Sequence, residues 1–386
     1  MPVQRSMALL VTLAAVSAAG QASPTASDPP PVSAQQAPIA LLVDLSAGQT
    51  LFSRNADDRF LPASMTKTMT ALVAFDLIAA GKLREDAVVT VSPRAARLAG
   101  RGTTLSLRLG QQVAVADLLR GVTTASANDG AVALAEGALG SEAAWIAAMN
   151  ARAQALGMAD SRFASVNGLP DGGQTRVTAR DMVRLARALI HDHPQLYRRY
   201  FGPRTMTWQG QVLASRNPIN GVVSGADGIK TGHTREAGYT FLGAVERDGR
   251  RLVLVVARAP DEVSRAEAAR RLAEWGYAAW DSKPLLIAGQ IVGAARVQQG
   301  AAREVGLAPL RDWRLAVPNG GKATVTTRIV YRGPLVAPLA KGQVVAGLEV
   351  TVAGQPPHDI PLATTAAVNS AGPFDRLVNG LLGLLP

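Results

Sequence analysis

The residue types most able to do chemistry together are Ser64 and Lys67, three positions apart at the start of a helix-like stretch. On a helix this spacing places the hydroxyl and the ammonium on one face, where they can touch. A serine hydroxyl is a weak nucleophile until an adjacent base takes its proton. Lysine can be that base when burial or a second cation lowers its pKa. The pair therefore predicts nucleophilic catalysis by Ser64.

Two later motifs supply further groups of the kind that such a site needs. Ser126-Ala127-Asn128 offers a second hydroxyl as a proton relay and an amide to position a substrate or the lysine. Lys230-Thr231-Gly232 enters a predicted β-hairpin, where a strand can lay main-chain hydrogen bonds along an extended peptide. Lys230 would attract an anionic group, and Gly232 would let the backbone approach closely. Any one motif alone is weak, but the three in this order favour one shared site.

Lysine is scarce in this chain, which makes its positions informative. Only 6 of the 40 basic residues are lysines, and two of these six are Lys67 and Lys230. A base must be able to lose its proton, which arginine cannot do. This argument explains the choice of lysine at position 67.

The elements that must position these residues can be predicted from turn signals and periodicity. The chain pattern predicts a mixed α/β (α+β) domain over 38–282, with no internal repeat. Its hairpins are expected at 39–53 and at 239–257, the latter around Asp248-Gly249. Its helices are expected at 62–80, 117–139 with an interruption near Ser126, 178–190 with Thr178 as N-cap, and 264–280.

The composition changes after residue 282, where helical patterns stop. Short runs of Val, Ile and Leu recur at 291–297, 314–317, 323–331 and 347–352, with Gly and Pro between them. This pattern predicts a separate small all-β sandwich domain over 283–366.

The N-terminal end of the chain indicates export. Residues 1–22 read as a secretory signal peptide, with Arg5 before an apolar run, and an uncleaved anchor is the alternative. Residues 23–37 are rich in Pro, Ala, Ser and Gln and predict a flexible linker. Residues 367–386 predict an amphipathic helix that could lie on a membrane surface or dock on the protein's own core.

Composition excludes several classes of protein. The chain has 386 residues, no cysteine, 4 histidines and a net charge of +11. A disulfide scaffold, a thiolate zinc site and a cysteine nucleophile are excluded, and the site needs no metal or cofactor. Arginine is spread along the whole chain without aromatic-interleaved clusters, so nucleic acid is not an expected partner.

The three motifs together resemble those of the serine penicillin-recognising enzymes. The match is closer to the periplasmic D-alanyl-D-alanine carboxypeptidases, the low-molecular-mass penicillin-binding proteins of types 5 and 6. It rests on the segments 62–70, 126–129, 167–170 and 227–239. This family implies a β-lactamase/transpeptidase-like fold followed by a β-domain. Ala127, where Gly is common, and the basic stretch 94–101 depart from the family pattern.

The resemblance also implies roles for individual residues. Ser64 would be the acylated nucleophile, Lys67 its base and Ser126 the proton relay toward the leaving D-alanine. Asn128 would hold the peptide, while the terminal carboxylate would bind residues that share the third motif or follow it: Lys230, Thr231 and, by spacing alone, Arg265. The oxyanion would lie between the backbone N–H groups of Ser64 and His233. Gly232, the last residue of the third motif, would let the backbone approach closely.

The implied substrate is the peptidoglycan stem pentapeptide ending in D-Ala-D-Ala, with β-lactams as inhibitors. The implied location is the periplasm, with the tail at the inner-membrane surface. A β-lactamase is disfavoured because only Asp160, Asp171 and Asp181 lie where its deacylating carboxylate would be. A transpeptidase and a catalytically idle wall-binding module remain alternatives. The sequence does not indicate the diamino acid of the stem peptide.

Overall fold

The computed structural model describes residues 8–12, 30, 32–319, 324–352 and 357–372. The chain divides into two compact units. The first unit holds Pro29–Leu45 and Thr50–Tyr277. The second holds Ser46–Gln49 and the chain from Ala278 onward, together with Met1–Asp28.

The helices of the described chain all begin before residue 263. They are α1 (Lys67–Ala79), α2 (Pro93–Ala96), α3 (Val115–Arg120), α4 (Asn128–Leu139), α5 (Glu142–Ala155), α6 (Ala179–Asp192), α7 (Pro194–Phe201) and α8 (Glu262–Ala278). A 3-10 turn, Ala63–Thr66, precedes α1, and a π turn, Gly121–Ala125, follows α3.

The strands fall into an early group and a late group. They are β1 (Ala8–Thr12), β2 (Ile39–Asp44), β3 (Gln49–Arg54), β4 (Val88–Thr90), β5 (Gln112–Ala114), β6 (Thr205–Trp208), β7 (Gln211–Ala214), β8 (Ala226–Thr234), β9 (Gly238–Arg247), β10 (Arg250–Ala259), β11 (Trp280–Leu286), β12 (Gly293–Gln298), β13 (Glu304–Pro309), β14 (Trp313–Pro318), β15 (Thr324–Tyr331), β16 (Leu335–Val336), β17 (Val344–Val352) and β18 (His358–Thr364).

A five-stranded sheet in the order β3-β2-β10-β9-β8 organises the first unit. Nearly every residue of the central strand β10 is buried. Because successive side chains of a strand point to opposite sides, both faces of the sheet are covered there. Val253 and Val255 join the core that includes α1 and α6. Leu252, on the other face, packs beside Gly276 of α8, where a Cβ would lie only 2.9 Å from its side chain. The sheet is therefore covered by helices on both faces, and β8 forms one edge.

The helices that carry the first two motifs begin and end as their sequences predict. The stretch from residue 62 forms the 3-10 turn and then α1, which ends before Gly81. The predicted helix 117–139 is interrupted as expected, with Ser126 in a left-handed conformation (φ +62°) between the π turn and α4. Thr178 caps α6, its hydroxyl accepting the Asp181 N–H at 3.2 Å.

The described residues of the second unit from Trp280 onward form strands and loops, as predicted for this part of the chain. Seven strands form a sheet in the order β1-β15-β17-β18-β13-β12-β16, and β11 pairs with β14 in a second sheet. Alternate residues of β14, namely Trp313, Leu315 and Val317, enter one apolar core with residues such as Val350 and Ile360 of the larger sheet. This shared core gives the two sheets a sandwich-like packing.

Several details differ from the sequence predictions. The helix expected to reach Trp280 ends at Ala278, and Trp280 begins β11 instead. Strands β13 and β18 were missed because each contains a proline, which weakens a strand signal. Strand β1 lies within the predicted signal peptide and pairs with β15. The rest of that peptide, most of the linker 23–37 and the tail beyond Gly372 lie outside the described residues.

Candidate active site

The predicted nucleophile and its lysine are in contact. Lys67 Nζ lies 2.9 Å from Ser64 Oγ. Ser64 is on the 3-10 turn, partly exposed, whereas Lys67 begins α1 and is 1% exposed. The turn starts at Ala63 with a positive φ of 49°, and Gly168 packs directly behind it. A Cβ at Gly168 would lie 1.9 Å from the Ala63 carbonyl oxygen, so only glycine fits there.

The surroundings of Lys67 suit a neutral amine. Its Nζ also lies 2.7 Å from Asn128 Oδ1 and 2.6 Å from the Asn167 carbonyl oxygen. Both oxygens can only accept hydrogen bonds, and a neutral amine has two N–H groups to donate. When these are donated to the two oxygens, the nitrogen lone pair is left for the Ser64 hydroxyl proton. This arrangement can turn Ser64 into a nucleophile.

Burial also favours the neutral form of Lys67. Removal from water lowers the pKa of Lys67 well below its usual value, and the charge of Lys230 lowers it further. The carboxylate of Asp129 opposes this shift by favouring the charged form. The net direction is the one that a general base at neutral pH requires.

Asn128 is held in one orientation by the chain that precedes it. Its Nδ2 donates to the Arg101 carbonyl oxygen at 3.0 Å, and its backbone N–H donates to the Thr103 carbonyl oxygen at 2.8 Å. The amide oxygen must then face Lys67. Ser126, two residues earlier, is 6% exposed and has no side-chain hydrogen bond within the described part of the chain. Its hydroxyl is thus available to a reacting group.

Asp129 and Asn167 support this arrangement but were not among the predicted site residues. The buried Asp129 carboxylate accepts backbone N–H groups of Leu105, Leu107 and Gly130 at 2.8–3.0 Å. It thereby connects the loop between α2 and β5 to α4. The signal for both lay in the quoted segments 126–129 and 167–170, but the roles come from long-range contacts that spacing does not reveal.

The third motif lies on edge strand β8, against the turn that carries Ser64. A Cβ at Gly232 would lie 2.3 Å from the Pro62 carbonyl oxygen and 3.1 Å from the Ser64 backbone nitrogen. Thr240, paired with Gly232 on β9, donates its hydroxyl hydrogen bond to the same Pro62 oxygen at 3.1 Å. Only glycine allows this approach, which brings the Ser64 N–H beside the residue that precedes His233.

Cations converge on Lys230. This side chain is 4% exposed, and its Nζ donates to the Thr231 carbonyl oxygen at 3.1 Å. Burial, followed by the charges of Arg216 and Arg265, lowers the pKa of Lys230 to about 7. A bound carboxylate would relieve this repulsion, so the cluster is suited to an anionic group.

Arg265 is placed near Lys230, as its spacing suggested, and Arg216 is an addition. Arg265 is 3% exposed, forms an ion pair with Glu262 at 2.6 Å and lies over the Tyr239 ring at 5.5 Å. His233 is exposed and stacks on the same ring, with 4.0 Å between centroids. Arg216 lies in the loop before β8, where no sequence pattern indicated it.

Other kinds of site are not found in the described parts of the chain. Within 8–12, 30, 32–319, 324–352 and 357–372, no group of three or more His, Asp and Glu side chains could hold a metal ion. No helix of the same residues is long and apolar enough to cross a membrane. The chemistry that the geometry supports is acyl transfer to Ser64.

Fold and site together define a serine acyl-transfer enzyme, and comparison with known proteins places it in a family. A family model described as D-alanyl-D-alanine carboxypeptidase matches residues 23–261. A second model, penicillin-binding protein 5, C-terminal domain, matches residues 280–370. The chain belongs to the D-alanyl-D-alanine carboxypeptidase family, a family of serine peptidases, and the resemblance seen in the motifs is confirmed.

Individual relatives cover most of the chain. It is 33% identical over 343 residues to D-alanyl-D-alanine carboxypeptidase DacD of Salmonella typhimurium, covering 87% of each protein. The structure of penicillin binding protein 5 from Haemophilus influenzae matches with a TM-score of 0.77 and 31% identity, over 89% of this chain and 99% of that one. Ampicillin-bound penicillin-binding protein D2 from Listeria monocytogenes matches 64% of this chain and 99% of its own, at 32% identity and a TM-score of 0.58. The predicted fold class is thus confirmed.

Proposed function

We propose that the protein is a serine D-Ala-D-Ala carboxypeptidase that removes the terminal D-alanine from the peptidoglycan pentapeptide. The observation that carries this proposal is the buried Lys67, whose pKa is lowered and whose Nζ lies 2.9 Å from Ser64 Oγ. The family membership supports the choice of substrate. β-Lactams are the proposed inhibitors, because a relative binds ampicillin.

In the proposed acylation step, Ser64 Oγ attacks the carbonyl carbon between the two D-alanines while Lys67 Nζ takes its proton. The negative charge that develops on the carbonyl oxygen is held by the backbone N–H groups of Ser64 and His233. Ser126 passes a proton to the leaving D-alanine nitrogen as the amide bond breaks. An ester between Ser64 and the shortened peptide remains.

The terminal carboxylate of the substrate is proposed to bind the cationic cluster. Lys230 and Thr231 would contact it directly, with Arg265 and Arg216 adding positive charge. Release of D-alanine then lets water attack the ester, returning the proton to Ser64 Oγ. No metal or cofactor takes part in these steps.

The positions of the nearby carboxylates argue against a β-lactamase. Asp160 is paired with Arg59, and Asp181 accepts hydrogen bonds from Ser161 and Arg184. Both Asp171 oxygens are bonded within their own loop, to Gln174 and Thr175. Each of these carboxylates is engaged with protein donors, which disfavours its use in holding a deacylating water, so the penicilloyl ester at Ser64 should be long-lived.

Export to the periplasm is part of the proposal and rests on the residues 1–22. Contact of the tail with the inner-membrane surface rests on the apolar stripe Phe374, Leu377, Val378, Leu381, Leu382 and Leu385. Removing residues 373–386 should release the mature chain from membranes. A full-length mature chain that stays in the soluble fraction would overturn this part.

The central experiment is labelling with a fluorescent penicillin followed by peptide mapping. The label should be found on Ser64 and should disappear in Ser64→Ala. The unaltered enzyme should also release D-alanine from a synthetic pentapeptide. Labelling at another residue would contradict the mechanism, and exchange with an added amine without hydrolysis would favour a transpeptidase.

A further inference from the structure

The loop between α2 and β5 brings the backbone of Arg101 to the edge of the candidate active site. The Arg101 carbonyl oxygen accepts a hydrogen bond from Asn128 Nδ2 at 3.0 Å, and Asn128 Oδ1 in turn accepts one from Lys67 Nζ at 2.7 Å. A Cβ at the next residue, Gly102 (φ +69°), would lie 3.0 Å from the same Nδ2. The backbone at Arg101 is therefore pressed against the amide that is proposed to hold the peptide.

This part of the loop is anchored rather than loosely attached. The Thr103 carbonyl oxygen accepts the Asn128 N–H, and Asp129 binds the N–H groups of Leu105 and Leu107. These bonds connect the residues that follow Arg101 in the loop to the first turn of α4. The position of the Arg101 backbone is thus set by the same helix that positions the site.

The Arg101 side chain has no assigned partner of its own. It is exposed, and no ion pair of Arg101 occurs within the described residues, although Arg94 of the same basic stretch pairs with Glu142 at 2.7 Å. The Lys230 cluster is already suited to the terminal carboxylate. Because the Arg101 backbone lies beside Asn128, its side chain can offer a second cation to a different anionic group of the peptide.

We propose that Arg101 determines specificity by binding a carboxylate on the part of the substrate that stays attached to Ser64. The ligand class is an acidic peptide with a free carboxylate on one of the two residues that precede D-Ala-D-Ala. This inference rests on the proposed function. An exposed guanidinium–carboxylate pair is weakened by salt, so the preference should fall at high ionic strength.

The test compares two synthetic peptides ending in D-Ala-D-Ala. They differ only at the two preceding residues, which carry free carboxylates in one peptide and carboxamides in the other. The unaltered enzyme should prefer the acidic peptide by about two- to fivefold in kcat/KM, mostly through KM, the size expected of one exposed ion pair. Arg101→Gln should lose this preference and keep its rate on the amidated peptide.

Arg108→Gln is the matched control. Arg108 is another exposed arginine without an ion pair among the described residues, and it follows Leu107, the last residue of the loop that Asp129 binds. The Arg108→Gln variant should keep the preference. Equal loss on both peptides in Arg101→Gln, the same loss in Arg108→Gln, or no preference in the unaltered enzyme would each overturn the inference. Calorimetric binding of both peptides to Ser64→Ala, with and without Arg101→Gln, gives the same comparison without turnover. A failure of D-alanine release would therefore count against the proposed function alone.

Discussion

The two units differ in what they bury. In the described residues of the second unit, the buried polar side chains are neutral, namely Gln49 and Thr364. In the first unit charged side chains are buried too: Asp44, Lys67, Asp129, Asp181, Lys230, Arg250, Arg251 and Arg265. Burying a charge is unfavourable unless it is paired, so such a group requires an explanation.

Within the first unit the buried cations divide again. Arg250 is paired with Asp44 at 2.7 Å, and Arg251 with Asp227 at 2.6 Å. Lys67 and Lys230 form no ion pair with any described residue and bind only neutral oxygens. The arginines are thus explained by their carboxylates, whereas the lysines are explained only by a reaction or a ligand. For these four cations, pairing separates structural from functional ones, whereas Arg265 is paired with Glu262 at 2.6 Å and is also proposed to add positive charge at the carboxylate site.

The largest effect is expected at Lys67. Lys67→Met should lower the rate of penicillin acylation by about 10²–10⁴-fold, the range for loss of a positioned general base. Stopped-flow labelling measures this rate. Thermal unfolding should show a folded variant, because the replacement removes a buried group that lacks a carboxylate partner. Acylation within threefold of the unaltered rate would show that Lys67 is not the base.

The buried ion pair of Arg250 and Asp44 should affect stability and not the acylation rate. Asp44→Asn leaves the Arg250 guanidinium buried without its carboxylate, and we expect the free energy of unfolding to fall by about 3–5 kcal/mol. Denaturant unfolding measures this loss. Penicillin acylation of the folded protein should be unchanged. A stable Asp44→Asn protein with slow acylation would break the distinction between structural and functional cations.

Lys230 should control the alkaline side of the pH profile. Because its pKa is lowered to about 7, the free enzyme loses this positive charge as the pH rises above that value. We expect kcat/KM for the pentapeptide to fall by about tenfold per pH unit at most, less where the arginines compensate. Lys230→Arg should abolish the decline, since arginine stays charged. A decline that persists in Lys230→Arg would assign it to another group.

The same shift has a consequence for stability. The folded-state pKa of Lys230 lies below the usual 10.5, so the unfolded chain binds more protons between about 7 and 10.5. The contribution of this residue is therefore unfavourable below pH 7 and is relieved as the pH rises through that window. Relative to the unaltered protein, Lys230→Met should be most stabilised at pH 6 and least at pH 10, as followed by denaturant unfolding. The reverse trend would contradict the assignment.

The smallest effect is expected in the second unit. Ile360→Val removes one methylene from its apolar core and should lower the free energy of unfolding by about 0.5–1.5 kcal/mol. The rate of penicillin acylation should not change, because the residue belongs to the other unit. A change in acylation rate would show that the two units are functionally coupled.

The sequence by itself determined the features that depend on near neighbours. The contact between Ser64 and Lys67 follows from a spacing of three residues on a helical turn, and the hairpin of β9 and β10 follows from Asp248-Gly249. The cap at Thr178 and the interruption at Ser126 are equally local. Of the 18 described strands, eight followed from the chain pattern, namely β2, β3, β9, β10, β12, β14, β15 and β17. The named family and its fold class followed from the motifs. The assigned roles of the site residues stay predictions.

Only the tertiary structure decided which groups surround the lysines. Lys67 meets Asn128 across 61 positions of the chain and Asn167 across 100. The charge of Arg216 reaches Lys230 from a separate loop. Periodicity and spacing describe which neighbours share a face, but they carry no information on which distant segments meet. The pKa of a buried lysine depends on those segments, because they exclude the water and supply the charges that set it.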